Sequence, residues 1–431
     1  MIKLLIQRAD RLGDVLFSLP IIDQLKALPY PIQIDYLVSP AGEALVAHHP
    51  DIHTHHVYTP TNRASLTQTI RNEGYDIYLC LWNHPHLLAL GKAAKIPMRI
   101  GHSNHTWWTN SYLTHPVPTR WDNLITHMIE HNTKLLIPLG LPPVCKPAVL
   151  PIPKNNPWPT ATQKVALFTQ TGGSNIPFPP STIEAFIHYM NRQAPNAKIV
   201  LLGHDPESPF LATKGPNIIN AINQTSLETL MAWIAYCDTY IGPDTGPTHL
   251  ASYYNKPTVF FSPLKINPPG TFGSLSNRQV IIRQDTDYSK LRLTPSDYPH
   301  YLNYLTGEYL YNAYQRLQAL PGVADTDIRD QHGYATLRIL YFPFPGDPSH
   351  YTAYDAVGFP VFTAASNWPA LFRQLVTHNI SILHGNVPRV IGKLLQWYMG
   401  IVKKIVQPII FRYPLPKTPQ DVLKNYRDAR A

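Results

Sequence analysis

Apolar and polar positions alternate in blocks along the first third of the chain. An apolar run at 2–7 (IKLLIQ) leads into a helical pattern from Asp14 to Ala27, and a second apolar run follows at 32–39 (IQIDYLVS). Next come a helical pattern at 41–49 (AGEALVAHH), a strand at 54–58 (THHVY), a polar helix ending at Arg71, and the apolar run 75–82 (YDIYLCLW). Runs that are apolar throughout, rather than every second residue, read as strands buried on both faces. The βαβα rhythm therefore predicts an α/β fold with a doubly wound parallel sheet.

Residues 138–160 (PLGLPPVCKPAVLPIPKNNPWPT) interrupt this rhythm with a Pro-rich stretch that reads as an inter-domain linker. The pattern then restarts. Strands are expected at 164–171, 197–203, 239–242 and 257–262, and helices at 182–192 and 227–237. Two Rossmann-like halves result, residues 1–150 and 160–289, with no sequence repeat relating them. The remainder, 290–431, is rich in Tyr, Pro and His and has weak periodicity. Near its end, residues 387–412 are apolar with Arg389, Lys393, Lys403, Lys404 and Arg412 interspersed. That segment fits a helix lying in a membrane interface with Trp397 at the boundary, and it fits equally a helix packed on the protein with its lysines in water.

Composition narrows the partners. With 431 residues, 44% of them hydrophobic, the chain is long enough for two or three cored domains. The formal net charge is +9, which favours an anionic partner. Lys/Arg-dense runs of the kind found in nucleic-acid arms are missing, so no nucleic acid is expected; a phosphorylated substrate or an acidic membrane surface is. Three widely spaced cysteines, Cys80, Cys145 and Cys237, suit a reducing compartment and give neither a disulfide framework nor a zinc spacing. The first apolar run is broken by Arg8, Asp10 and Arg11, as in a strand rather than a signal peptide. No uncharged apolar window reaches 18 residues, so no membrane-spanning helix is expected. Proline, at 44 residues, is about twice its average usage.

Two stretches carry candidate chemistry. In RADRLGDVLFSLP (8–20), Gly13 and Asp14 fall where a strand turns into a helix. Ligands of doubly wound sheets bind beyond the carboxyl ends of the strands. Gly13 there admits a close backbone approach. Asp14 in the first helical turn is either a helix cap or a carboxylate placed to take a proton from an attacking hydroxyl. In YCDTYIGPDTGPTHLASYY (236–254), a short strand and a turn precede a helix, so that Asp244, Thr245 and Gly246 sit at a helix N-terminus suited to a phosphate or sugar group, with His249 extending the polar end.

As a pair, RADRLGDVLFSLP and GPDTGPTHLAS resemble the motifs of glycosyltransferase family 9, the heptosyltransferase-like group, over roughly residues 1–285. The resemblance implies a GT-B fold, two Rossmann-like domains facing a cleft. It also implies an inverting, metal-independent transfer of a heptose-like sugar from a nucleotide diphosphate, typically ADP-heptose, to a lipopolysaccharide-core or other lipid-linked acceptor. No cofactor and no metal ligands are implied. Residues 1–150 would bind the acceptor and 160–289 the nucleotide sugar. The family pattern makes Asp14 the general base and assigns the donor's diphosphate and sugar to Asp244, Thr245, Gly246 and His249. A third segment, FTQTGGSNIPFPP, matches a phosphate-approaching turn at Thr171, Gly172 and Gly173. Glu207, after an expected strand, falls where the donor ribose or base would sit. A cytoplasmic enzyme, peripheral on the inner face of a bacterial inner membrane, is implied as well.

The chain departs from the pattern in one respect. The family usually carries a Lys or Arg shortly after the third turn, and here Ser174–Pro179 contains no basic residue. A diphosphate would lose a charge-assisted contact worth ~1.5–3 kcal/mol. Arg8 or Arg11, reaching across the cleft with Gly13, are candidates to contact phosphate or acceptor instead. A degenerate member that binds a sugar nucleotide or partner without turnover is the alternative. A nicotinamide oxidoreductase is disfavoured because no G-x-G-x-x-G follows the first strand. Two further stretches read as structural. The five histidines of 48–58 have no Cys or carboxylate cluster to complete a metal site. HTWW at 105–108 reads as packing, with stacking on a sugar ring as the other possibility.

Overall fold

A computed structural model describes residues 1–47, 49–103, 110–119, 126–161, 163–172, 175–262, 269–282, 302 and 305–321, and four short strands between 339 and 411. Three parallel sheets organise them. The first contains β1 (Ile2–Arg8), followed by the helices α1 (Leu12–Leu16) and α2 (Pro20–Lys26), then β2 (Ile32–Val38), α3 (Glu43–Ala47), β3 (Thr54–Val57), α4 (Arg63–Glu73) and β4 (Ile77–Cys80). It ends with α5 (Pro85–Ala93), β5 (Met98–Ser103), β6 (His115–Pro118) and α6 (Met128–Thr133). Strand order is β3-β2-β1-β4-β5-β6, with every pairing parallel. Leu4, Leu5 and Ile6 of β1 are all fully buried although successive residues face opposite sides, as expected for a sheet covered on both faces.

The second half repeats the topology without repeating the sequence. Its elements are β7 (Gln163–Phe168), α7 (Pro180–Gln193), β8 (Ala197–Leu202), β9 (Ile218–Asn220), α8 (Leu227–Ala235), β10 (Thr239–Pro243) and α9 (Gly246–Tyr253). They continue with β11 (Thr258–Phe261), the single turn α10 (Pro269–Phe272), β12 (Gln279–Ile282) and α11 (Gly307–Ala319). The order β12-β11-β10-β7-β8-β9 is again the order 3-2-1-4-5-6 of a dinucleotide-type sheet, and its pairings are parallel. In each sheet the chain reverses direction between two central strands, β1 and β4 in one, β10 and β7 in the other. α1 follows β1 and α9 follows β10, so both motif stretches leave a strand at such a switch point.

One hydrophobic cluster runs through both halves. Leu4, Leu16 and Tyr36 from the first join Phe168, Leu250 and Tyr253 from the second, with Ala148, Leu150 and Trp158 of the connecting segment between them. That segment is strapped down: the Trp158 ring meets Trp233 edge-on at 4.9 Å and donates its Nε1–H to the Trp233 carbonyl at 2.9 Å, and Tyr236 donates to the Pro153 carbonyl at 2.8 Å.

Three observations revise expectations drawn from sequence. The helix expected from Asp14 to Ala27 is two helices, because Pro20 has no N–H to give the Leu16 carbonyl. Side chains reach the carbonyls at the break: Asn132 donates to Phe17 at 3.0 Å, and Tyr253, from the other half, donates to Leu16, which also accepts from the Leu19 N–H at 3.1 Å. Secondly, the second half does not end at 289. Leu310, Tyr314 and Leu317 of α11 are buried in the same cluster as Phe186 of α7. Thirdly, the segment 387–412 ends in a strand. The third sheet, β13 (Ile339–Phe342), β14 (Val361–Thr363), β15 (Ile382–Gly385) and β16 (Ile409–Phe411), has the order β14-β13-β15-β16 and is parallel throughout. Residues 386–408 themselves, like 104–109, lie outside the described residues. No helix among the described residues is long and apolar enough to cross a membrane.

The join between α7 and α11 is tight enough to test. A Cβ on Gly307 would overlap Ala185 and lie 2.6 Å from the backbone nitrogen of Phe186. Gly307→Val should cost about 1–3 kcal/mol of stability, read from urea unfolding followed by tryptophan fluorescence. An unchanged midpoint would detach α11 from this core.

Candidate functional site

At the carboxyl end of β1, Arg8 turns its guanidinium inward and makes three contacts. Nε donates to Asp10 at 2.9 Å, Nη1 to the Leu81 carbonyl at 2.9 Å and Nη2 to Asp14 at 2.6 Å. The Arg8 side chain is 6% exposed and that of Asp14 25%, so the pair is closed on the Arg8 side and open on the Asp14 side. Burial works against the charge on Arg8, and the carboxylates of Asp14 and Asp10 outweigh it, holding the guanidinium protonated. Burial pushes the Asp10 carboxyl up to about 6, against the pull of Arg8.

Opposite Asp14 stands the N-terminus of α9. Thr245 is its N-cap in extended conformation, and Pro247 in the first turn costs no helical hydrogen bond because that N–H would have no partner. Thr248 donates to the Pro243 carbonyl and fixes the turn to the strand. His249, 5% exposed, lies with Nε2 3.5 Å from Asp244 Oδ1 and its ring tilted on Phe17 at 4.4 Å. Burial, with a smaller repulsion from His127, lowers its pKa to about 3, so the imidazole is neutral. His249 Nδ1 is buried with no hydrogen-bond partner among the described residues.

A cavity of about 290 Å³ separates the two sides. Arg11, Gly13, Asp14 and Phe17 line it from the first half, and Asp244, Thr245, Gly246, His249 and Phe272 from the second. The halves also meet through His127 of the first, hydrogen-bonded to the Gly273 carbonyl of the second at 3.1 Å. A carboxylate thus faces the positive end of a helix dipole across a space of substrate size, an arrangement suited to taking a proton on one side and holding an anion on the other.

Known proteins with this fold and these motifs make the comparison specific. The model of glycosyltransferase family 9 (heptosyltransferase) matches residues 186–301. Lipopolysaccharide heptosyltransferase 3 of Escherichia coli is 24% identical over 278 residues, covering 57% of this chain and 79% of that protein. The second half of the chain thus matches glycosyltransferase family 9, and a curated heptosyltransferase aligns with the chain over most of its own length. A lipopolysaccharide heptosyltransferase 3 of E. coli strain K12 is 28% identical over 144 residues, 30% of this chain and 40% of its own. Among solved structures, the family 9 glycosyl transferase of Veillonella parvula superposes with a TM-score of 0.60 at 19% identity, over 73% of this chain and 96% of the other. E. coli ADP-heptose lipopolysaccharide heptosyltransferase II gives 0.57 at 20% identity, over 71% and 98%. The fold is therefore GT-B, and the protein is a glycosyltransferase.

Within this glycosyltransferase, seven of the residues singled out from sequence share the cavity: Arg11, Gly13, Asp14, Asp244, Thr245, Gly246 and His249. Others do not reach it. Arg8 lies behind Asp14 and is held there by three partners. Thr171 and Gly172 follow β7 and are not among the lining residues; the Thr171 hydroxyl donates to the Asn175 carbonyl at 2.8 Å. Gly173 is outside the described residues. Glu207 is exposed in the loop after β8, away from the cavity lining. Sequence reasoning missed Phe17 and Phe272, the apolar walls, and Asp10, whose only signal was its place one residue before Arg11. The histidines of 48–58 divide among separate partners, His53 with Asp35, His55 with Glu43 and His56 with Tyr75.

The two motifs touch directly. A Cβ on Gly13 would come within 2.8 Å of His249 Cδ2, and the ring, buried against Phe17, has little room to retreat. Gly13→Ala should lower stability by about 1–3 kcal/mol, whereas Gly172→Ala, whose Cβ meets nothing within 4 Å, should leave it unchanged. Thermal melts of the two variants side by side check this; equal melts would remove the contact.

Proposed function

We propose that the chain is an inverting transferase that moves a heptose-like sugar from a nucleotide diphosphate, ADP-heptose or a close analogue, to a lipopolysaccharide-core or related glycan acceptor. The observation that carries the reading is the shared cavity, with Asp14 on one wall and the N-terminus of α9 on the other. In this reading Asp14 accepts the proton of an acceptor hydroxyl as its oxygen attacks the anomeric carbon. The bond from that carbon to the β-phosphate oxygen breaks on the opposite face, which inverts the centre. The departing diphosphate keeps the electron pair and is held by the α9 dipole, the Thr245 and Gly246 backbone and His249. Gly13 lets the acceptor side approach closely. Thr171, Gly172 and Gly173 would meet the phosphates, and Glu207 the ribose or base, once a donor is bound and the halves close further.

Arg11 takes the place of the missing basic residue after Gly173. Its side chain is exposed, lines the cavity opposite Thr245, and forms no ion pair among the described residues. Arg8 is already committed to two carboxylates and a carbonyl, so it serves the base rather than the phosphates. Support for the donor class comes from a solved relative. E. coli heptosyltransferase WaaC is known in one structure with ADP and in another with ADP-2-deoxy-2-fluoro heptose, each superposing on this chain with a TM-score of 0.55. The reading locates the enzyme in the cytoplasm, against the membrane that carries its acceptor. The second reading, a binding protein without turnover, draws on one observation, the lack of a Lys or Arg between Ser174 and Pro180.

Transfer from a panel of ADP-, GDP-, UDP- and dTDP-sugars separates the two, binding without turnover favouring the second. Asp14→Asn should reduce kcat/KM by about 10²–10⁴-fold with donor KM nearly unchanged; full activity in this variant would remove the assigned base. Arg11→Ala should raise donor KM by roughly 10–100-fold, the equivalent of one charge-assisted contact. An unaltered KM would return the phosphate charge to another group.

A further inference from the structure

Asp10 lies outside the cavity and is mostly buried, with 13% of its side chain exposed, yet it is tied to the cavity through a single residue. Its Oδ1 accepts from Arg8 Nε at 2.9 Å, while Arg8 Nη2 donates to Asp14 Oδ1 at 2.6 Å. The carbonyl of Asp10 accepts from Ser39 Oγ at 2.8 Å, which fixes the backbone at the end of β1 to the end of β2. The guanidinium is therefore clamped on Nε by Asp10 and on Nη1 by Leu81, and only Nη2 is left to reach Asp14. Two carboxylates share one buried positive charge.

We propose that Asp10 is a positioning residue for the transfer reaction: by holding Arg8 from behind and sharing its charge, it orients Asp14 toward the cleft. This inference rests on the assignment of Asp14 as base. The physical need is a balance. A lone Arg–Asp pair in a closed site orients the carboxylate but stabilises its ionised form so strongly that it becomes a poor proton acceptor. A base left without Arg8 keeps its basicity but loses its aim. A second carboxylate on the same guanidinium takes up part of its charge, so that less of it acts on the carboxylate facing the substrate.

Other titratable groups around the triad do not replace Asp10. Tyr36 on β2 is fully buried, hydrogen-bonded to Ser18, and pushed well above its ordinary range by burial. On β4 the Cys80 thiol is pushed up to about 12 by burial. His102 on β5 is lowered to about 3 by burial, with a smaller push from Arg8, and stays neutral. Arg11 lines the cavity on the same side as Asp14, and the neutral His249 and Asp244 line it from the second half. Among the groups packed on Arg8, Asp10 and Asp14 are the two carboxylates in contact with it.

The test is the pH dependence of kcat/KM for sugar transfer in the full chain, wild type against Asp10→Asn, with Asp14→Asn in parallel. Asn keeps an oxygen for Arg8 Nε and removes the charge. Expected are an acid limb moved to lower pH by about half a unit or more, a plateau rate reduced roughly 3–10-fold because the base is weaker, and an unchanged donor KM. A merely structural Asp10 would lower the plateau and leave the limb in place, which overturns the inference. An Asp10→Asn profile identical to wild type, with Asp14→Asn inactive, also overturns it and leaves the base assignment standing. An active Asp14→Asn removes the base assignment itself. If Asp10→Asn does not fold, Asp10→Ser, which also removes the charge, is read by the same shift of the limb.

Discussion

The close approach of α1 to α9 is the constraint on which the site depends. Gly13 lies against the His249 ring and Gly246 against Leu12, so each helix carries a glycine in its first turn where the other presses on it. Tyr253 and Leu16 tie the same two helices one turn further along. Because α1 leaves β1 and α9 leaves β10, contact between them brings the switch points of two separate sheets face to face. Each sheet alone offers half of a site, one a carboxylate backed by an arginine, the other a helix N-terminus with a neutral histidine. The chemistry of group transfer requires both at a fixed separation.

The break at Pro20 shows how local sequence serves that contact. A helix running unbroken from Leu12 to Lys26 would use the carbonyls of Leu16 and Phe17 for its own ladder. Proline interrupts the ladder: the Phe17 carbonyl accepts from Asn132, and the Leu16 carbonyl, which keeps a bond from the Leu19 N–H, accepts also from Tyr253. The domain contact thus follows from one residue whose usual cost, a missing N–H, is offset by bonds from elsewhere in the molecule.

Much of the fold was legible because buried parallel strands write themselves as apolar runs; β1, β2, β4, β7, β8, β10 and β11 all fall, to within a residue, inside runs read from sequence. Pairing the two motifs brought seven expected residues to one cavity. Other features left weaker marks. β6 (His115–Pro118) carries two prolines and one buried side chain, so it has no apolar signature. β14 and β16 are three residues long, too short for any period to show. α11 does carry a helical pattern, with Leu310, Ala313, Tyr314 and Leu317 on one face and Thr306 as N-cap, but its aromatic surroundings obscured it. Arg8 was the subtler case. A basic residue beside a proposed phosphate site reads as a phosphate ligand, and only the geometry shows its guanidinium turned toward Asp10, Asp14 and Leu81.

With Arg8 committed in this way and Arg11 open to the cavity, the proposed mechanism gives the base and the leaving group different arginines within one short turn of chain. The central claim is a single displacement across the cavity, and the stereochemistry of the transferred sugar tests it most directly. Nuclear magnetic resonance of the glycoside formed from ADP-heptose and a lipopolysaccharide-core acceptor reads the anomeric configuration. The account predicts inversion relative to the donor. Retention would require two displacements or a front-face path, and would contradict it.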